Sequence, residues 1–381
     1  MEGTHWPEAL IDRLIEDDSS RALFSVVVER LSDLFEPRLC DIYTDLFSEV
    51  IGKTLPDDLH GPHLAARYRR IRKQRTASGP HPRNVFVLSR VTLGADVAVT
   101  SVALDAAKRA FPNSEIYFAG SQKAYELFAG DLRIQHFPVQ YGRNVSLRDR
   151  LSVWPELRDA VCRRRSIVID PDSRLTQLGL LPLCPEEDYY FFESRGFMPE
   201  SHDSLVRLTQ RWVGETFGIH DAKPYIEPSP LTTTLPQFAA TVSFGVGENA
   251  AKRLPDPFEA DLLKHLPRPL LIDKGAGGEE AERVERAVAS AGEDIEVWDG
   301  SFAGFASHIQ RSGMFVGYDS AGGHAAAACG VPMVSIFTGF ACDRMFHRWR
   351  PSGDGRIEVV KVEPGVDPLP DVLAAVDALR L

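Results

Sequence analysis

Between Phe315 and Pro332 the chain reads Phe-Val-Gly-Tyr-Asp-Ser-Ala-Gly-Gly-His-Ala-Ala-Ala-Ala-Cys-Gly-Val-Pro. An apolar strand stops at Asp319, the glycines Gly322 and Gly323 admit close backbone approach, and a run of small residues begins a helix. Free backbone N–H groups and the positive end of the helix dipole then converge at one point, a geometry that holds a phosphate. The same residues also suit a tight strand-to-helix turn packed through small side chains. Further upstream lies the pair Lys252-Arg253, in the stretch Val242–Pro255 that also contains Gly245 and Gly247. In isolation such a pair is ordinarily a surface feature. Asp96 stands immediately before an apolar helical pattern at Val97–Ala110, where Asp is a favoured N-cap. Asp170-Pro171-Asp172 closes the apolar run Ile167–Ile169, and the carboxyl end of a buried strand is where ligand-facing residues fall. An Asp-Pro-Asp sequence is equally ordinary turn chemistry.

Taken together and in order, these segments resemble the signature of glycosyltransferase family 9, the heptosyltransferases of bacterial lipopolysaccharide assembly. The stretch Asp319–His324 followed by the alanine run and Gly330-Val331-Pro332 is similar to the family's Asp-Ser/Thr-Gly-Leu-x-His loop and helix, with Ala321-Gly322 in place of Gly-Leu. Gly247, Lys252, Arg253 and Pro255 look like its Gly-containing loop and Lys-Arg-Trp-Pro stop, with Leu254 at the Trp position. The turn from Leu271 to Glu280, carrying Gly275, Gly277 and Gly278, resembles its Gly-Gly-x-x-Glu turn. At the front, Val85–Thr100, with Arg90, Thr92, Leu93 and Gly94, is similar to the opening strand and Leu-Gly-Asp-Val loop, except that Ala95 is inserted before Asp96.

The resemblance spans residues 84–365 and implies a GT-B fold, in which two Rossmann-like domains face a cleft. It further implies inverting transfer of a sugar, a heptose in the first instance, from a nucleotide-diphosphate donor such as ADP-heptose to a hydroxyl-bearing acceptor, with no metal and no other cofactor. Asp96 would be the general base that takes the acceptor's proton, with Asp172 in reserve. Lys252 would meet the charge that develops on the leaving diphosphate. Gly247, Arg253, Asp319, Ser320, Gly322, Gly323 and His324 would contact the donor, and Arg90, Thr92 and Asp172 the acceptor. For His324 a packing role on the helix is an equal alternative.

The elements needed to carry these residues are legible in the apolar periodicity. Leu10, Ile11, Leu14 and Ile15, then Leu23, Phe24, Val27, Val28, Leu31 and Leu34, recur at helical spacing and predict a helical subdomain over residues 1–78, with Asp18-Ser19-Ser20 and Glu36-Pro37 as its punctuation. Arg67, Arg69, Arg70, Arg72, Lys73 and Arg75 form a basic run that reads as a solvated helix face or, alternatively, an acceptor-binding patch. A break at Pro80-His81-Pro82 opens alternating strands and helices over 79–228. A Pro- and Thr-containing linker, Pro224–Pro236, precedes a second alternating unit over 229–381. Such β-α-β alternation predicts parallel sheets.

Composition narrows the classes. The 381 residues include 43 Lys plus Arg against 54 Asp plus Glu, a net charge of −11, which disfavours a nucleic-acid or anionic-membrane binder. Five scattered cysteines argue against a disulfide framework or zinc knuckle and for a reducing cytoplasm. No signal-like or membrane-spanning segment is expected. A nicotinamide-dependent oxidoreductase is disfavoured because no Gly-x-Gly-x-x-Gly follows a first strand. A non-catalytic nucleotide-sugar binder or scaffold remains an alternative, as does self-association through the N-terminal helices.

Overall fold

A computed structural model describes residues 6–55, 59–78, 82–142, 144–164, 166–230, 236–247 and 249–380. Pro80 and His81 of the expected break, and the Thr run of the expected linker, lie outside the described residues. The chain forms two compact units. One comprises Met1–Thr92, Val102–Tyr125 and Leu132–Ala222; the other comprises Leu93–Ser101, Glu126–Asp131 and Lys223–Leu381.

The first unit is built on five parallel strands, β1 Asn84–Leu88, β2 Glu115–Gly120, β3 Ile134–Pro138, β4 Ile167–Asp170 and β5 Tyr189–Phe191, in the order β3-β2-β1-β4-β5. Val85 pairs with Ile116 on one side and Ile167 on the other. Strand β1 is buried along its whole length, as a parallel strand covered on both faces must be. The second unit has six parallel strands, β6 Ala240–Ser243, β7 Leu270–Asp273, β8 Ile295–Trp298, β9 Phe315–Tyr318, β10 Met333–Phe337 and β11 Ile357–Lys361, in the order β11-β10-β9-β6-β7-β8. Counted from β6, that is the doubly wound order 3-2-1-4-5-6. In each sheet the strand order reverses between the first and fourth strands, and ligands bind outside the carboxyl ends of strands at such a switch point. The switch points fall at β1/β4 and β6/β9, so the loops after these four strands and the starts of the helices that follow carry every site residue named from sequence.

The N-terminal residues are helical, as their periodicity predicts: Glu8–Glu16, a π-helical stretch Ala22–Val28 that runs on into Glu29–Ser32, Pro37–Thr54 and Gly61–Ile71. Their apolar faces share one core with the first sheet, where Tyr43, Phe47 and Tyr68 join Leu175, Leu181 and Phe191. The turn between the first two helices is organised by Asp17 rather than by Asp18-Ser19-Ser20 alone. Its carboxylate accepts from the Ala22 N–H at 2.7 Å and the Ser19 N–H at 3.1 Å, and those bonds hold its carboxyl below the usual range.

In the basic run Arg69, Arg70 and Lys73 are exposed, as on a solvated face, but the arginines have partners within the unit. Arg67 donates to the Gly179 carbonyl at 2.7 Å and lies over the Tyr189 ring, while Arg69 pairs with Asp45, Arg70 with Glu186 at 2.6 Å, and Arg72 with Asp41 at 2.5 Å. Arg75 donates to the Glu186 and Tyr189 carbonyls. These arginines fasten the helix Gly61–Ile71 within its unit. Part of the expected linker is also pinned: the Glu227 N–H donates to Leu127 O at 2.7 Å and the Gly130 N–H to Glu227 O at 2.7 Å. Among the described residues no helix is long and apolar enough to cross a membrane.

Candidate functional site

Strand β9 ends at Tyr318, and Asp319-Ser320 leads into the helix Ala321–Ala328. After β6 the chain turns through Gly245–Gly247 and a 3-10 turn at Ala250–Lys252. Neighbouring strands bring these two segments together across 67 positions of sequence. The Lys252 ammonium pairs with the Asp319 carboxylate and also donates to the Asp319 carbonyl at 3.2 Å. Both side chains are largely withdrawn from solvent, 18% and 6% exposed, so the pair is screened less than a surface one. A cation thus stands beside the N-terminus of the helix, whose first backbone N–H groups carry the positive dipole end.

Two polar atoms at this helix start are buried without a hydrogen-bond partner, Ser320 Oγ and His324 Nδ1. Such atoms are costly unless something satisfies them. Burial holds the His324 imidazole below its usual pKa, with Asp319 pulling upward and Lys252 downward, which favours the neutral ring at pH 7. Its edge lies against the Leu93–Ala95 turn: a Cβ added to Gly94 would be 3.2 Å from His324 Cδ2 and 3.4 Å from Ala321 Cα. Glycine at 94 is therefore a matter of close approach. The His324 ring is packed, and its Nδ1 is left without a hydrogen-bond partner.

Gly322 lies against the Phe315 ring, where a Cβ would come within 2.8 Å, so its smallness serves packing. Gly247 has φ +60 and open space beside it. Arg253 faces Glu279 at 3.4 Å and Glu280 at 3.8 Å. Glu280 was not among the site residues named from sequence, although the glycine turn before it pointed there. Its carboxylate accepts from the Val246 N–H at 3.0 Å and the Ala276 N–H at 2.7 Å, tying the loops after β6 and β7 together. Gly245, Gly247 and Ala250 give a Gly-x-Gly-x-x-Ala spacing after β6. A three-residue 3-10 turn follows it in place of the helix that a dinucleotide fingerprint requires.

Asp96 is not an N-cap. The helix begins three residues earlier, at Leu93–Ala95, and Asp96–Thr100 continues it as a π-helical turn closed by Ser101 N–H donating to Asp96 O. The Asp96 side chain is fully buried and accepts from Thr100 Oγ1 at 2.7 Å. After β1 and β4, Arg90 donates to Pro171 O at 3.0 Å and Ser194 Oγ at 2.7 Å, and Asp172 accepts from Ser194 Oγ at 2.9 Å and pairs with Arg195. Arg90 and Asp172 are both buried, and Asp172 Oδ1 has no hydrogen-bond partner. Asp172 has φ +67 and Gln177, Leu178 and Gly179 follow with φ of +51, +62 and +86, a concentration of strained backbone at the switch point. Thr92 is half-buried at the end of the loop after β1. Arg195 and Ser194 were not foreseen, since nothing in the local sequence couples them to a strand end.

No family model matches the chain, and no curated protein matches it significantly. Solved structures do. The chain is similar to a glycosyl transferase family 9 protein from Veillonella parvula DSM 2008, with a TM-score of 0.58 at 15% identity over 80% of this chain and 99% of that one. It is also similar to the E. coli ADP-heptose lps heptosyltransferase II, with 0.54 at 17% identity over 78% and 98%. A third is the E. coli heptosyltransferase WaaC with ADP, with 0.51 at 15% identity over 73% and 93%. At these identities the likeness is one of fold, and it bears out the expected α/β GT-B architecture with two Rossmann-like sheets.

Proposed function

We propose that the protein is an inverting glycosyltransferase that moves a sugar, a heptose in the first instance, from a nucleotide-diphosphate donor to an alcohol. The observation that carries this reading is the Lys252 ammonium beside the N-terminus of Ala321–Ala328, flanked by the unsatisfied Ser320 Oγ and His324 Nδ1. A leaving diphosphate gains negative charge as the C1–O bond breaks, and a fixed cation plus oriented N–H groups stabilise that charge most where they are already in place. Arg253, Gly247, Gly322 and Gly323 complete the donor side, and Glu280 holds the loops in register. The ADP-heptose and ADP named for the structural neighbours support the choice of donor.

In the same step the acceptor oxygen attacks C1 from the opposite face and gives up its proton to a carboxylate. Asp96 is the base to which the family motif points. For it to receive that proton, the Leu93–Ala95 turn must part from Ala321 and His324 and uncover it. Turnover of ADP-heptose and other nucleotide sugars with soluble hydroxyl acceptors tests the assignment. Asp96→Asn is expected to lower kcat by roughly 100-fold or more with nucleotide affinity retained, and Lys252→Ala to weaken nucleotide diphosphate binding about tenfold. Unchanged turnover in both variants overturns the site. The full burial of Asp96 favours the second reading, a nucleotide-sugar binder that saturates with ligand and releases no sugar with any acceptor.

A further inference from the structure

The backbone that carries Lys252 is held on both sides of that residue. Two positions further on, the Leu254 N–H donates to Tyr318 Oη at 3.3 Å, and the Leu254 carbonyl accepts from Arg283 at 3.0 Å. Tyr318 Oη donates in turn to Glu259 Oε1 at 3.1 Å, and Arg283 reaches the same oxygen at 2.9 Å. Both backbone groups of Leu254 are thereby satisfied within one closed circuit of hydrogen bonds. Tyr318, Glu259 and Leu254 are all buried. Phe244 and Phe258 lie against the Tyr318 ring, with centroids 5.7 and 6.4 Å away, and confine the direction in which its hydroxyl points.

On the other side stands Gly339, in the loop after β10. Its φ is +67, and a Cβ there would lie 2.6 Å from the Ala251 carbonyl oxygen and 2.9 Å from the Lys252 nitrogen. Only glycine allows this loop to close on the turn Ala250–Lys252 without displacing it.

Tyr318 is the last residue of β9, and Asp319 follows it. These two neighbours therefore hold the loop after β6 twice, at Lys252 through the Asp319 carboxylate and carbonyl, and at Leu254 through the Tyr318 hydroxyl. A lysine ammonium rides on a flexible stem, so its place is defined only as well as its own backbone and its partners are. Charge stabilisation is greatest when the cation is in place before the charge develops. We propose that Tyr318 and Gly339 are positioning residues for the Lys252 ammonium, acting through Leu254 and Ala251. The use of that ammonium on a diphosphate rests on the transferase reading, whereas its placement does not.

Tyr318→Phe removes the hydroxyl and keeps the ring, and Gly339→Ala adds the colliding methyl. Gly365→Ala is the control, because Gly365 is also left-handed, φ +79, with nothing within 4 Å. The first readout needs no ligand. A shielded, paired amine is acylated slowly, so acetylation of Lys252 by acetic anhydride, followed by peptide mass spectrometry on the full chain, is expected to quicken about threefold or more in Tyr318→Phe and Gly339→Ala. In Gly365→Ala it keeps the parent rate. The second readout is ADP affinity by calorimetry, expected to fall about fivefold in Tyr318→Phe and in Gly339→Ala. That loss should vanish when either substitution is made in a Lys252→Ala background, which a merely structural role would not produce. Gly339→Ala changes a loop and carries the same test should the loss of two buried hydrogen bonds unfold Tyr318→Phe. Unchanged acetylation of Lys252, or a loss of ADP affinity that persists undiminished without Lys252, would overturn the positioning role. Faster acetylation together with ADP affinity indifferent to Lys252→Ala itself would uphold the placement and overturn the diphosphate reading instead.

Discussion

Lys252 is held by a carboxylate in the same place where it would meet a diphosphate. A negative ligand entering there faces the Asp319 carboxylate as well as the ammonium, and two like charges at short range in a partly buried site oppose each other by the order of 1 kcal/mol or more. Asp319→Asn removes that repulsion and frees the ammonium. Nucleoside diphosphate alone is therefore expected to bind the variant about fivefold more tightly, most visibly at low salt. The nucleotide sugar should gain less, because Asp319 is among the residues expected to contact the donor and a carboxylate accepts from sugar hydroxyls. Calorimetry with both ligands at two salt concentrations checks this, and equal weakening of both would show that Asp319 serves only to position Lys252. Both residues were identifiable in the sequence by type and motif. Their pairing was not, because only the adjacency of β6 and β9 brings together residues 67 positions apart.

At the level of elements, the alternation of the second unit was legible because β7, β9 and β10 are short, largely apolar runs, whereas β8 and β11 carry Glu296 and Glu358 within them. Strand β3, at the edge and only partly buried, lacks such a run, and β5 is only three residues long. The helix before β2 differed most, starting at Leu93 instead of Val97. The extra Ala95 supplies the reason: a π turn holds one more residue than an α turn, so Asp96–Thr100 absorbs the insertion and Val102, Ala103, Leu104 and Ala106 keep their buried positions. Deleting Ala95 should convert that turn to α geometry at little cost, with stability within about 1 kcal/mol of the parent. Deleting Ala106, inside the α-helical stretch, shifts the register of a buried face and should cost several kcal/mol. Chemical denaturation of the two deletions decides the matter, and equal damage from both would mean that the π turn is not what accommodates Ala95.

For the whole molecule, the attachment of the N-terminal helices was the least legible feature, because a run of arginines looks like surface until its partners are known. Asp45, Glu186 and Glu193 lie 24 to 125 positions from the residues they hold. Glu193 is the informative one. Its side chain, 12% exposed, accepts from the Tyr68 hydroxyl and stands 3.9 Å from Arg72. Burial pushes its carboxyl up from 4.5 to about 7, with Tyr68 and Arg72 opposing that rise and Asp172 and Asp41 adding to it. Below pH 4.5 the group is protonated in both folded and unfolded chains and contributes no pH dependence. Between 4.5 and about 7 the folded state retains a proton that the unfolded chain has released, so stability falls as pH rises through this window and the cost is complete above it. Glu193→Gln cannot release that proton. Relative to the parent it should gain of the order of 1–3 kcal/mol between pH 4.5 and pH 8, read as the difference between two denaturation series on the full chain. Taking the difference cancels the buried histidines, whose depressed values act in the opposite sense at acid pH. Parallel curves for the two proteins would show that Glu193 is ionised at neutral pH and that the helices are fastened there by an ion pair to Arg72 instead of by a shared proton with Tyr68.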